Sequence, residues 1–343
     1  MSKAIALFSG GLDSTLAILA VLKQGVEVMA VQFVTGFEHD DSSNIHRKKD
    51  LSSLAGHFGF GLKVDHLGSK FIGLIMNPKH GYGKNMNPCI DCRILMLRQA
   101  RDIMNAMEAD FIVTGEVLAQ RPMSQRKDTL YHIDKEADIS GYVVRPLSAK
   151  LLKSTFPEEQ GFIDREKLYD FRGRSRKPQI NLAEEFGLRD YPAPAGGCLL
   201  TDPVFSHRIA DLLKYKPAPN LRDFELLKVG RHFRISPSAR IIVGRNKTEN
   251  DIIESLTAGD ECLLKVEGFG SPSTLLIGEI TDNALKIAAS LCARYSDAKN
   301  LAEVSVSVFK DGVKYEMMVQ PADRGILENY RIEQKSTLSI MEA

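Results

Sequence analysis

Two stretches of this chain carry residue types and spacings suited to chemistry, one on phosphate and one on sulfur. The first is Ser9-Gly10-Gly11-Leu12-Asp13-Ser14. It follows an apolar run over 4–8 and opens a helical pattern from Thr15 to Leu22, giving strand, tight glycine turn and helix N-terminus in that order. Glycines let the backbone approach an anion closely, and the N–H groups there add to the positive end of the helix dipole. A Walker loop needs four residues between its glycines and a following Lys, so this is a different phosphate cradle. The plain alternative is a strand-to-helix turn capped by Asp13 or Ser14, but a cap does not require the Ser-Gly-Gly prefix.

The second stretch is Asn87-Pro88-Cys89-Ile90-Asp91-Cys92, with two thiols one turn apart at the start of a predicted helix over 92–107. Thiols at a helix start are expected to be acidified by the dipole, and their thiolates bind soft metals. A third thiol, Cys198, stands far along the chain at the end of the rigid run Pro192-Ala193-Pro194-Ala195-Gly196-Gly197. Residue types alone leave three readings open: a zinc site with His80 or His207 as fourth ligand, a redox, disulfide or persulfide pair, or packing cysteines. Cys262 and Cys292 lie in apolar runs and read as packing residues.

These motifs need a scaffold, and the chain of 343 residues is long enough for two or three domains. A hydrophobic content of 43% and a charged content of 26% are those of a globular protein. No apolar run approaches a membrane span and the N-terminus lacks a signal-peptide pattern, so no membrane partner is expected. Five cysteines, an odd number, argue against a secreted disulfide framework and for a reducing, cytoplasmic setting. Strands are predicted at 4–8, 27–34, 62–67 and 110–114, with a helix over 44–58. Short apolar strands alternating with helices predict a parallel sheet covered on both faces, with its ligand beyond the carboxyl ends of the strands. The loop at 9–14 and Gly115-Glu116 would share that edge.

The loop resembles, residue by residue, the pyrophosphate loop of the ATP pyrophosphatases. That resemblance implies that Ser9, Gly10, Gly11 and Ser14 bind ATP phosphates and that Asp13 lies near Mg²⁺. The family transfers AMP to a substrate oxygen and releases pyrophosphate. The stretch Gly115-Glu116-Val117-Leu118-Ala119-Gln120, continuing to Ser124-Gln125, resembles a segment of the tRNA 4-thiouridine synthases that faces the nucleotide, so Gly115, Glu116, Gln120 and Gln125 join the expected cofactor site. Several tRNA-thiolating members carry a Cys-x-x-Cys plus one distant Cys. The resemblance therefore implies a 4Fe–4S cluster on Cys89, Cys92 and Cys198, with one iron open for sulfide; zinc and a persulfide pair stay as alternatives.

Cations complete the pattern. Arg172, Arg174, Arg176 and Lys177 stand together without an acid between 171 and 178, and 228–247 holds six Lys or Arg, among them Arg231, Arg240, Arg245 and Lys247, with no Asp or Glu. Both read as phosphate grips for a nucleic acid. From 224 to 330 the chain resembles the NFACT-type RNA-binding module, through Ile241-Ile242-Val243-Gly244-Arg245-Asn246, Asn250-Asp251 and Gly270-Ser271-Pro272-Ser273. A linker is expected near 215–220, a helix over 283–295 and a strand over 303–309. The expected organisation is an α/β, adenine nucleotide alpha hydrolase-like PP-loop domain over 1–168, an extension with the basic loop and third cysteine over 169–218, and a smaller α+β RNA-binding domain over 222–335. The function implied is ATP-dependent adenylation of a tRNA uracil carbonyl followed by sulfur transfer, forming 4-thiouridine, with free sulfide or a cysteine desulfurase as sulfur donor. Thiolation at the 2-position of an anticodon uridine, an amidating or ligating enzyme, and a non-enzymatic RNA-binding protein are the alternatives.

Overall fold

A computed structural model describes residues 2–38, 44–83, 85–189, 191 and 198–332. The chain divides into two compact units, Met1–Leu199 and Leu200–Ala343.

The first unit runs β1 (Lys3–Leu7), α1 (Leu12–Leu22), β2 (Glu27–Val34), α2 (Asn44–Phe58), β3 (Gly61–His66), α3 (Gly68–Met76), α4 (Cys89–Ala106), β4 (Phe111–Thr114), α5 (Lys127–Glu136), β5 (Val143–Val144), α6 (Phe156–Glu159) and α7 (Lys177–Glu185). Its five strands lie in the order β3-β2-β1-β4-β5, all parallel, with Ile5 opposite both Met29 and Ile112. Alternation along β1 sends Ala4 and Ala6 into one core, with Leu16, Ile18 and Val21 of α1. It sends Ile5 and Leu7 into the other, with Ile94 and Leu97 of α4. Burial on both faces explains the apolar runs of β1 and β4, whereas the edge strand β3 is partly exposed and carries polar residues. The strand order reverses between β1 and β4, which is where an open parallel sheet leaves a crevice for a ligand. The loop after β1 and the segment after β4 both emerge there.

The second unit runs α8 (Pro203–Tyr215), α9 (Leu221–Leu227), β6 (Arg231–Ser236), β7 (Ala239–Val243), α10 (Lys247–Ser255), β8 (Cys262–Val266), β9 (Thr274–Gly278), α11 (Asp282–Arg294), β10 (Val304–Lys310), β11 (Val313–Val319) and α12 (Arg324–Tyr330). Its six strands form an antiparallel sheet in the order β11-β10-β8-β9-β7-β6. Ile241, Leu264 and Leu276 pack against α11 on one face, while Ile242 and Leu275 pack with Leu226 and Ile253 on the other.

The boundaries correct the expected organisation. Residues 169–218 do not form a separate extension. Leu182 and Ala183 of α7 enter the core shared with α1, whereas α8 packs on α9 and its Asp211 pairs with Arg234 of β6. The stretch 215–220 is a short helix–helix connection inside the second unit, not a domain linker. There Asn220 caps α9 by accepting from the Asp223 N–H. Residues 192–197 of the Pro/Gly-rich run, and 333–335 at the expected end of the RNA-binding domain, lie outside the described residues. Cys262 and Cys292 are buried within the second core.

Candidate active site

The loop between β1 and α1 is held by its own serines. Ser14 Oγ donates to the Gly11 carbonyl at 2.9 Å and accepts from the Ser9 N–H at 3.3 Å. Gly10 sits at φ +72, where a side chain is strained, and a Cβ there would meet Leu51 Cδ2 at 2.6 Å. Gly11 has an extended conformation, φ −86 and ψ 163, and is the N-cap of α1; as glycine it offers no side chain to cap the helix. The leading N–H groups of an eleven-residue helix therefore point outward without a side-chain partner, which is what an anion requires.

Asp13, in the first turn of α1, is the meeting point of three segments distant in sequence. Gln120 Nε2 donates to its Oδ2 at 2.6 Å, Gln179 Nε2 of α7 donates to Gln120 Oε1 at 2.9 Å, and Arg176 Nη2 lies 3.9 Å from its Oδ1. Three atoms of this group, Asp13 Oδ1, Arg176 Nε and Gln179 Oε1, are buried yet carry no hydrogen bond. Buried polar atoms are rarely left so, and several around one anion-ready helix start mark a place where another molecule or ion completes the bonding. Gly115 fits flush against this loop: a Cβ there would come within 2.5 Å of the Ser14 backbone nitrogen. Ala119 adopts φ +61, an unusual backbone state for a non-glycine residue, immediately before Gln120.

Other residues of the segment after β4 play structural parts. Glu116 is 2% exposed, with Arg145 Nε at 3.0 Å and Arg93 Nε at 3.2 Å. Burial alone would raise its carboxyl, but Arg93 and Arg145 overcome that and hold it below the usual range. Arg145 is bidentate to Asp134 as well, at 2.7 and 2.8 Å. In this arrangement Arg93 and Arg145 hold Glu116 beyond the end of β4, with its Oε1 left without a hydrogen bond. Gln125 likewise turns inward, accepting from the Arg121 N–H at 3.0 Å to close the 119–125 loop. Local sequence could not separate these two from Gln120, because their partners lie on other segments.

The three cysteines come together within the first unit. Cys198 forms an isolated bridge with Glu38, and the Leu199 N–H donates to the Phe37 carbonyl at 2.8 Å. The thiols of Cys198, Cys89 and Cys92 are near enough to influence one another electrostatically. Burial pushes the Cys92 thiol up to about 12, with Arg93 opposing and Cys198, Cys89 and Glu38 adding to the rise. Burial, the largest influence at Cys92, works against the acidification expected of a thiol at a helix start. Asn87 Nδ2 donates to Cys89 Sγ at 3.1 Å. Three half-buried thiols, one of them receiving a hydrogen bond, suit a soft metal centre, since coordination removes the thiol proton outright.

His80, offered as a fourth ligand, instead bonds Asp91 and His132, and His207 belongs to the second unit. Two of the expected RNA contacts are also reassigned. Arg176 faces Asp13, and Arg240 is 5% exposed with its guanidinium on Asp223 at 3.3 Å. A charge buried on a carboxylate does not grip solvent-side phosphates. Arg231 stacks on Tyr295, its guanidinium 4.4 Å from the ring centre, and Arg245 Nε donates to Glu249 Oε1 at 2.8 Å. Arg172, Arg174, Lys177 and Lys247 are exposed.

With this geometry in hand, residues 1–150 match the family described as thiamine biosynthesis protein (ThiI), and 230–331 match the NFACT protein RNA binding domain. A probable tRNA sulfurtransferase of Thermococcus kodakarensis is 29% identical over 154 residues, covering 42% of this chain and 36% of that protein. The tRNA-specific 2-thiouridylase MnmA of Stutzerimonas stutzeri is 24% identical over 242 residues, covering 67% of this chain and 60% of the relative. The chain thus spans between 36% and 60% of the length of these two curated relatives. Among solved structures, a 4-thiouridine synthetase–RNA complex with bound ATP is similar at 23% identity and TM-score 0.36, over 55% of this chain and 52% of that one. The C-terminal part of the fibronectin/fibrinogen-binding protein from Streptococcus suis is similar at 12% identity and TM-score 0.27, over 50% and 78%. Among the described residues no helix is long and apolar enough to cross a membrane.

Proposed function

We propose that the protein thiolates a uridine of tRNA at the 4-position, using ATP to activate the carbonyl oxygen. The observation that carries this reading is the trio of buried atoms without hydrogen bonds, Asp13 Oδ1, Arg176 Nε and Gln179 Oε1, at an open helix start, in the same unit as three neighbouring thiols. The loop N–H groups, with Ser9 and Ser14, hold the β- and γ-phosphates. Asp13 Oδ1 is the oxygen donor that fits Mg²⁺, while Gln120 and Arg176 fix the carboxylate's orientation. The uracil oxygen attacks the α-phosphorus, the bond to pyrophosphate breaks, and the departing charge is neutralised at the loop. Sulfide then attacks the activated carbon, AMP leaves with the former uracil oxygen, and one proton is released. With sulfide as donor no electron is gained or lost.

Cys89, Cys92 and Cys198 would hold the 4Fe–4S cluster, whose open iron supplies a binding place for sulfide. A single zinc needs its thiolates within about 4 Å of one another. A cluster spreads its thiolates over separate irons, whereas one zinc would draw all three to a single point. Exposed Arg172, Arg174, Lys177 and Lys247 supply phosphate contacts for the RNA. The 2-position is the second reading, favoured by the longer match to MnmA.

Anaerobically purified protein, ATP, Mg²⁺, sulfide and unmodified tRNA are expected to give AMP, pyrophosphate and 4-thiouridine on nucleoside mass spectrometry. Formation of 2-thiouridine would move the reading to its alternative, and ADP with orthophosphate would overturn it.

A further inference from the structure

A separate cluster on the first unit uses none of the residues assigned above. His132 and Glu136 stand one turn apart on α5, at i and i+4, and therefore share a face of that helix. His80, 52 positions upstream, brings its Nε2 to 2.9 Å from His132 Nε2. One donor atom from each of His80, His132 and Glu136 lies within 4.8 Å of the others.

We propose that His80, His132 and Glu136 form a binding site for one divalent first-row transition ion, with Zn²⁺ as its occupant. Two imidazoles and one carboxylate are a donor set that such ions accept, and three protein ligands leave a further position for water. The orientation of His80 is built in. Asp91, nearly buried in the first turn of α4, accepts from the His80 backbone N–H at 2.9 Å and faces His80 Nδ1 at 2.9 Å. A carboxylate can only accept, so Nδ1 carries the proton and Nε2 presents its lone pair toward His132. This carboxylate–histidine relation is what fixes a metal-ligating imidazole. The 2.9 Å contact between the two Nε2 atoms brings both imidazoles to where one ion can take the place of the hydrogen bond between them.

Lys79 Nζ, 2.6 Å from Glu136 Oε2, occupies the carboxylate meanwhile. Its side chain is 66% exposed and flexible, so it can yield to a doubly charged ion. Ion binding would tie three segments together: the turn at 79–80, α5, and α4 through Asp91, the residue between the paired cysteines.

The inference does not rest on the thiolation reading and is tested apart from it. Zn²⁺ is titrated into the full chain carrying Cys89→Ser, Cys92→Ser and Cys198→Ser, in competition with a chromogenic chelator. One equivalent is expected to bind, falling to none when His132→Ala is added. Lys79→Ala should bind several-fold more tightly, and Co²⁺ in the same variant should give a d–d spectrum without thiolate charge transfer. A folded triple variant that takes up no Zn²⁺ would overturn the site. Should that variant not fold, the native cysteines are kept, and His132→Ala, a surface change, must bind one equivalent fewer than the unaltered chain. Equal numbers would overturn the proposal.

Discussion

Around the Ser9–Ser14 loop, Asp13 Oδ1, Arg176 Nε and Gln179 Oε1 are buried without hydrogen bonds. In the second unit Arg234, Arg240 and Arg245 each hold an acid. Both regions look charged and polar in sequence, but the first leaves atoms of a carboxylate and a guanidinium without hydrogen bonds, whereas these three arginines of the second are hydrogen-bonded to acids. Paired charges mainly secure packing and orientation, whereas buried polar atoms without partners indicate where a ligand is expected. A basic run is therefore weaker evidence for a nucleic-acid contact than the same run with its acids located.

The comparison is broken most directly at Asp13. Asp13→Ala should lower tRNA-dependent AMP and pyrophosphate release by about 10³-fold, the scale of losing a key electrostatic stabiliser. Its thermal midpoint should stay near that of the unaltered chain, and a large fall would mean that the loop carboxylate is structural. At Arg145 the opposite balance holds. Arg145→Leu leaves Glu116 and Asp134 buried beside one another and should destabilise the first unit by about 3–5 kcal/mol in denaturant unfolding. A loss under about 1 kcal/mol would show that the network is solvated.

Arg240 and Lys247 sharpen the contrast within the second unit. Arg240→Ala should cost about 2–3 kcal/mol of stability, because Asp223 then keeps only Lys216 as ion-pair partner beside the Asn220 N–H, while leaving the salt dependence of tRNA binding intact. Lys247→Ala should do the reverse, flattening the slope of log affinity against log salt by about 0.9 for a single phosphate contact. Identical slopes for the two variants would undo the distinction between buried and available cations.

The smallest effect concerns acid. At Glu249 burial raises the carboxyl, but hydrogen bonds and charge from Arg245 win and hold it below its ordinary 4.5. A depressed folded value means that the stabilisation is present above pH 4.5 and is lost as pH falls through the folded value. Arg245→Ala should remove part of that dependence, so its midpoint should differ from the unaltered protein at neutral pH and converge with it in acid. Parallel curves down to pH 2 would contradict the pairing.

The sequence by itself determined the alternation of strands and helices in the first unit, the loop after β1, and the pairing of two cysteines at the head of α4. Each of these is written in consecutive residues: the predicted strand at 27–34 and helix at 44–58 are β2 and α2 as observed, and the helix predicted over 92–107 is α4 begun three residues earlier. Local periodicity suffices there because β1 is buried along nearly its whole length and α4 buries one face. Tertiary structure alone decided the rest. It turned Glu116 toward Arg145, Arg176 toward Asp13 and Arg240 toward Asp223. It divided the expected extension between two cores and brought His80 to His132. In every such case the deciding partner comes from another segment, and folding pairs buried charges across those segments because an unpaired one is costly to desolvate.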